Sequence, residues 1–444
     1  MRGLSRKRAS AFAASRVRRP APASAPWHPP LSTDSDDAAA HYLEGLHRYL
    51  SILPAAPRSF DNAVRADPTF AVGAAALAVT AMGVGERELA MRSLASARAA
   101  ARDDPDLPAM SRSHIGAVDA FLTGPAPRAL GIAGTHLRAH PGDVFVLALT
   151  MGALHTNNRV TRRQEALGLL DDALAAGVDH FAVPSLRSFV VADLGDLDRA
   201  RADAESGLAA NARSAHAAHG MAHVFYETAQ HEAGRDWLTA WTADFDPRAS
   251  GLHLSWHLAL HDLALGDLDR LERRYETSIR PHAGPTLFID AVDILWRSRL
   301  AGADDPARWS SLRTIVPAVA EVRTTSLALI ASIVVLAGSG DTTGLGAAIA
   351  WLRTLRRNPL CREVILPIAE ALLAIAQGDI ARAARQLEGV GDELVAVSAS
   401  NAQLDLLSCT LRWCEERLAV ECSSFLGARL QPGSPARSMT SPAR

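Results

Sequence analysis

The sequence predicts an all-α protein, a superhelical solenoid of degenerate helical hairpins, and three observations carry that prediction. Alanine and leucine supply much of a 48% hydrophobic fraction. Both are good helix formers, and no alternating strand pattern interrupts them. A turn motif recurs: Leu194-Gly195-Asp196-Leu197-Asp198-Arg199-Ala200 returns as Leu265-Gly266-Asp267-Leu268-Asp269-Arg270-Leu271, and more loosely as Gln377-Gly378-Asp379-Ile380-Ala381-Arg382-Ala383. The copies lie 71 and 112 residues apart, two and three units of roughly 35–37 residues, the range of paired-helix repeats. Finally, His219 and His253 are 34 residues apart, and so are His223 and His257. At 444 residues the chain is too long for one compact core, which stops growing near ~250–300 residues. A stack of hairpins resolves this, because each hairpin buries its open face on the next.

Taken in order, residues 1–35 are rich in Arg, Ser, Ala and Pro without buried-face periodicity, and read as a disordered basic leader. Organelle transit peptides share that composition. Residues 36–426 read as helices of 10–16 residues separated by short turns, in about ten stacked hairpins. In the recurring turn, Gly closes one helix in a left-handed cap and Asp caps the next. The longest apolar run, Leu327 to Gly338, is far short of the ~20 residues of a membrane span, so it reads as a buried helix. Gly338-Ser339-Gly340, with Gly344 and Gly346, lacks a P-loop lysine and reads as a loop between repeats. Residues 427–444 read as a disordered tail.

Charge narrows the function. The chain carries 46 basic and 48 acidic side chains, a formal charge of −2. Near-neutrality argues against nucleic-acid or membrane-surface partners. Lys7 is the only lysine. Such a bias is compositional, so arginine here does not signal phosphate recognition. The balance is also a sum of unlike parts: residues 1–33 hold seven basic and no acidic residues. Cys361, Cys409, Cys414 and Cys422 form no CxxC pair and fit no zinc or disulfide framework. They read as free thiols in a reducing cytoplasm.

No GxSxG, Walker or GxGxxG sequence occurs, and the candidate site is instead a histidine and tryptophan constellation. His216, His219, His223 and Glu227 share one face of a helix, and His253, His257 and His261 share one face of the next repeat's first helix. Equal phase in successive repeats sets the two stripes side by side. Trp237 and Trp241 fall on the intervening second helix and pack from behind. Histidines at i and i+4 can chelate a metal, and imidazoles beside a tryptophan can bind a ligand or transfer protons. They can equally be structural, bonded within a tight interface. HExxH is absent, since Gly220-Met221-Ala222 separates His219 from His223.

The motif His219-Gly-Met-Ala-His223-Val, followed by His253-Leu-Ser-Trp256-His257-Leu-Ala-Leu, resembles the tetratricopeptide repeat protein 38 family. So do Ile289-Asp290-Ala-Val-Asp293-Ile-Leu295-Trp296-Arg297 with Leu300, Gly302, Arg308 and Trp309, and Ser400-Asn401-Ala402-Gln403-Leu404-Asp405. The likeness spans about residues 40–420, and its specific part is 210–310. It implies a tetratricopeptide-like superhelix and no defined reaction. Three positions depart from the family. Tyr226 stands where many members carry an acid, and Leu404 where arginine is usual. Thr325 to Ala331 has no counterpart of the family's Phe-Asn-Asp-x-His segment.

The expectation is therefore a non-enzymatic, cytoplasmic scaffold. It would bind a protein or peptide partner in a concave groove lined by His219, His223, His253, Trp256 and His257. No cofactor and no resident metal is expected. The alternative is a small-molecule-binding or metal-dependent enzyme using the same cluster.

Overall fold

The computed structural model describes residues 27–155, 160–243, 252–279, 285–316, 325–397 and 399–429. Twenty helices form ten consecutive pairs among these residues, and one longer helix follows. The first pairs are α1 (Asp36–Leu50) and α2 (Ala56–Ala66), α3 (Ala71–Gly83) and α4 (Arg87–Asp103), and α5 (Ala109–Thr123) and α6 (Ala126–Ala139). Then come α7 (Val144–His155) and α8 (Val160–Ala175), α9 (Ala182–Asp193) and α10 (Leu197–Ala210), and α11 (Ala215–Glu227) and α12 (His231–Thr242). The last are α13 (Leu252–Ala264) and α14 (Leu268–Arg274), α15 (Pro285–Leu300) and α16 (Pro306–Ile315), α17 (Ser326–Gly338) and α18 (Thr342–Thr354), and α19 (Leu366–Ala376) and α20 (Ile380–Glu388). The closing helix is α21 (Asn401–Arg429).

The expected turn chemistry sets the hairpins. Gly195, Gly266, Gly340 and Gly378 adopt φ of 89°, 70°, 71° and 78°, which an L side chain rarely takes. The aspartate that follows each one accepts a backbone N–H of the next helix, Asp196 from Arg199 and Asp267 from Arg270, Asp341 from Gly344 and Asp379 from Arg382. The apolar run is the buried helix α17, and Gly340 lies in the turn after it. No described helix is long and apolar enough to cross a membrane.

From α3 to α19 the odd-numbered helices form one inner row, each packed on the next odd-numbered one. The row is fused from two large apolar cores, one running from Ala38 to Val190 and the other from Trp256 to Cys414. Between them lie only small apolar groups on α10 to α12 and the facing parts of α9 and α13. Polar side chains fill that gap.

Two features differ from the expected organisation. Residues 27–35, assigned to the disordered leader, are packed. Trp27 lies against the first core and accepts the Val144 N–H through its carbonyl, and Ser35 caps α1. Leader residues up to 26 and tail residues from 430 lie outside the described residues. Helix α21 also runs to Arg429, past the expected boundary at 426. It does not simply end the stack: it turns back along the inner row and packs on α15 and α11. A plain solenoid contacts only neighbouring repeats, so the return of α21 covers part of the face that would otherwise be an open groove.

Candidate functional site

The site lies where α11 and α13 run side by side. Ser214 caps α11 by accepting the Ala217 N–H. Gly220 lets α11 come close to α9, since a Cβ there would overlap the Ser188 side chain. The stripes meet as the 34-residue spacing requires. His219 and His253 have ring centroids 4.9 Å apart, and those of His223 and His257 are 4.6 Å apart. His219 is also 5.0 Å from His257, and His253 is 5.1 Å from His257. Four imidazoles thus form one compact cluster.

Its surroundings come from three further helices. Phe189 of α9 stacks on His219 at 4.8 Å and 16°. Trp256 stacks on His253 at 5.0 Å and 14°. From α15, Asp290 holds His253 Nδ1 at 3.0 Å, while Asp293 accepts the Trp256 indole N–H at 2.8 Å. Arg297 donates to Asp293 at 2.9 Å, to the Tyr226 hydroxyl at 3.2 Å and to the Ala402 carbonyl at 2.7 Å. Tyr226 donates in turn to Asp405 of α21 at 2.7 Å. Trp237 and Trp241 lie on α12 against the small apolar group shared by α11 and α13, as expected.

Burial separates the five residues expected to line a groove. His223, Trp256 and His257 are fully buried, not groove-facing. His219 is half-buried, and the His253 side chain keeps 25% exposure. The cause is the close approach of α9 and α15, which contribute Phe189, Asp290 and Asp293 around the rings. Glu227 is mostly covered and stands 3.6 Å from His223 Nδ1.

Titration follows burial. Burial, then the neighbouring imidazoles of His223, His219, His253 and His261, holds His257 well below its ordinary value. Burial alone brings His216 down to about 4. Burial, then His231, Arg235 and Arg274, does the same for His261, also to about 4. For His253 burial acts in the same direction, but the Asp290 carboxylate outweighs it and raises the imidazole. Burial pushes Asp293 up to about 6 against the pull of Arg297. At neutral pH the interior of this cluster therefore holds neutral His257 beside a His253 biased toward the cation.

A cavity of about 230 Å³ opens beside the cluster. Ala148 and Met151 of α7, Leu186, Phe189 and Val190 of α9, and His216 and His219 of α11 line it. Its apolar wall comes from three consecutive inner helices. On the other side, Tyr226, Glu227, Arg297, Asp405 and Cys409 border a second, more polar cavity.

Sequence reasoning had no direct signal for Phe189, which comes from another repeat. Asp290, Asp293, Arg297 and Asp405 were visible only as matched positions in a family motif, without a role. Folding assembles them into one network.

Paired helices stacked in a row define the class: an all-α, tetratricopeptide-like helical-repeat protein. No family model matches the chain. Among solved structures it is similar to the Cut9–Hcn1 hetero-tetramer of the APC/C, at 15% identity and a TM-score of 0.41 over 87% of this chain and 79% of that one. It is similar to yeast Tom70 at 12% identity and a TM-score of 0.39, over 90% of this chain and 93% of that one. Human IFIT1 with PPP-AAAA is similar at 13% identity and a TM-score of 0.39, over 82% of this chain and 95% of that one. Each likeness concerns the run of helices alone.

Proposed function

We propose that the chain is a non-enzymatic helical-repeat scaffold that binds a protein or peptide partner on its inner helix row. An apolar side chain of the partner sits in the cavity between α7, α9 and α11. That cavity is the observation carrying the reading: it is concave, apolar and built by three successive repeats, which is the character of a recognition pocket. His219 and His253, the two cluster members with exposed surface, border the approach. His223, Trp256 and His257 support them from behind.

The same reading places the chain in the tetratricopeptide repeat protein 38 family. Support comes from Trp256, Asp293, Arg297 and Asp405, residues of the matching motifs that join in a single hydrogen-bonded network. It also places the chain in the cytoplasm, which the free thiols of Cys361, Cys409 and Cys414 support.

Selection from a displayed peptide library tests the scaffold reading. Enriched peptides should share one apolar anchor. Ala148→Trp, which fills the cavity, should weaken their binding at least about tenfold, the value of ~1.4 kcal/mol, with unchanged melting. Selections that enrich no peptide, or peptides indifferent to Ala148→Trp, would sink it. A second reading, a small-molecule or metal-dependent enzyme using the same cluster, is favoured by one observation. Both ring nitrogens of the fully buried His257 lack a hydrogen-bond partner.

A further inference from the structure

We propose that His219, His253 and His257 bind one divalent transition-metal ion of the zinc class, clipped between α11 and α13, with His223 beside the site. This goes beyond partner binding and stands independently of it.

Reach is the first argument. One ring nitrogen from each of His219, His253 and His257 lies within 4.8 Å of the other two. His219 Nε2 and His223 Nε2 are 3.2 Å apart. Two nitrogens sharing a tetrahedral zinc at ~2.05 Å stand about 3.3 Å apart, so this pair already has the spacing of shared ligands.

The second argument is the state of His257. A neutral imidazole offers one N–H and one lone pair, and buried polar groups are normally satisfied. Here neither nitrogen is.

Thirdly, two of the rings have a carboxylate beside the outer nitrogen. Asp290, itself buried, takes His253 Nδ1 at 3.0 Å, which leaves Nε2 as the ligand atom. Glu227 stands 3.6 Å from His223 Nδ1, with its Oε1 otherwise unpartnered. A carboxylate behind an imidazole fixes the tautomer and ring orientation of metal-bound histidine.

An all-nitrogen set selects zinc, copper, nickel or cobalt over magnesium or calcium. The ion would join two repeats where apolar packing is thinnest. The trio His114, His136 and Asp143, of comparable reach, carries no such proposal. Its carboxylate is already occupied by both imidazoles, at 2.6 and 3.0 Å.

The test uses untagged, full-length protein stripped with a chelator, reloaded with Zn²⁺, desalted and measured by mass-spectrometric elemental analysis. The stripped protein is titrated in parallel with Co²⁺ and followed by visible absorption. About one zinc per chain is expected, with the Co²⁺ ligand-field bands of a nitrogen-ligated tetrahedral site. Asp290→Asn should weaken zinc about 10–100-fold. His219→Ala, at a half-buried position that truncation leaves folded by circular dichroism, should weaken it further. The decision rests on these two variants if His257→Ala does not fold. Substoichiometric zinc in the reloaded wild type, or wild-type affinity in Asp290→Asn and folded His219→Ala, would overturn the proposal.

Discussion

Between α5, α6 and α7, His114 and His136 share the carboxylate of Asp143; between α11 and α13, four imidazoles meet with no carboxylate among them. The first cluster is nearly closed. Asp143 Oδ2 receives His114 Nδ1 and His136 Nε2, its Oδ1 receives the Val146 N–H, and Ser113 bonds the far nitrogen of His136. Burial disfavours the Asp143 carboxylate, but both imidazoles outweigh it and hold the group well below the usual range. In the second cluster the carboxylates stand behind the rings and the centre is left to nitrogen alone. Identical side chains thus do opposite work. One set bonds a helix cap and two neighbouring helices together, and the other leaves both nitrogens of the buried His257 without a partner.

The largest effect that would break this contrast comes from Asp143→Ala. It removes the cap of α7 and strands two buried imidazoles. A loss of about 3–5 kcal/mol in urea unfolding is expected, as for a broken buried pair; a loss under about 1 kcal/mol would mean that the first cluster is not structural.

Acid separates the clusters by pH window. His216 and His261 titrate near 4 when folded, against about 6.5 unfolded. Between those values the unfolded chain binds more protons, so stability falls as pH drops from 6.5 to 4. Asp143 is depressed, so its contribution is present above the unfolded value near 3.9 and is lost only below it. Melting temperature of metal-free protein should therefore fall in two stages, and Asp143→Asn should shrink the more acidic one and leave the other. A single decline below pH 4 would contradict the neutral state assigned to the second cluster.

Gly220→Ala comes next. The added Cβ meets Ser188, forcing α11 away from α9 at a cost of about 1–3 kcal/mol, as for overpacked cores. Zinc binding should weaken with it, because the ring spacing depends on that approach. Unchanged melting and unchanged zinc affinity together would show that the close approach is dispensable.

His257→Leu has the smallest effect expected. In metal-free protein it removes no hydrogen bond, and an apolar replacement of an unsatisfied group is nearly neutral. Urea unfolding should change by less than about 1 kcal/mol, against the several expected for Asp143→Ala. A large loss without metal would mean that His257 has a partner after all.

Much of this was legible before folding. Glycine at positive φ followed by a capping aspartate is a local event, so the hairpin turns at Gly195, Gly266 and Gly378 are written in adjacent residues. Phase is local too, and the 34-residue spacing placed His219 against His253 and His223 against His257. Less accessible was whether those residues are open or sealed. Burial of His223 and His257 depends on Phe189, about one repeat before, and on Asp290 and Asp293, one repeat after. The docking of Asp405 against Tyr226 and Arg297 spans 179 and 108 residues. No periodicity announces a contact of that separation.

By itself, then, the sequence determined the helical class, the turn chemistry and the pairing of the two histidine stripes, because propensity, capping and helical phase act within one or two repeats. Tertiary structure alone decided that α21 returns over the inner row, that three of the five expected groove residues are buried, and that carboxylates stand behind the imidazoles. Each of these depends on how far the stack curves before distant helices meet. That curvature is the accumulated sum of many small packing angles, which no single stretch of residues specifies.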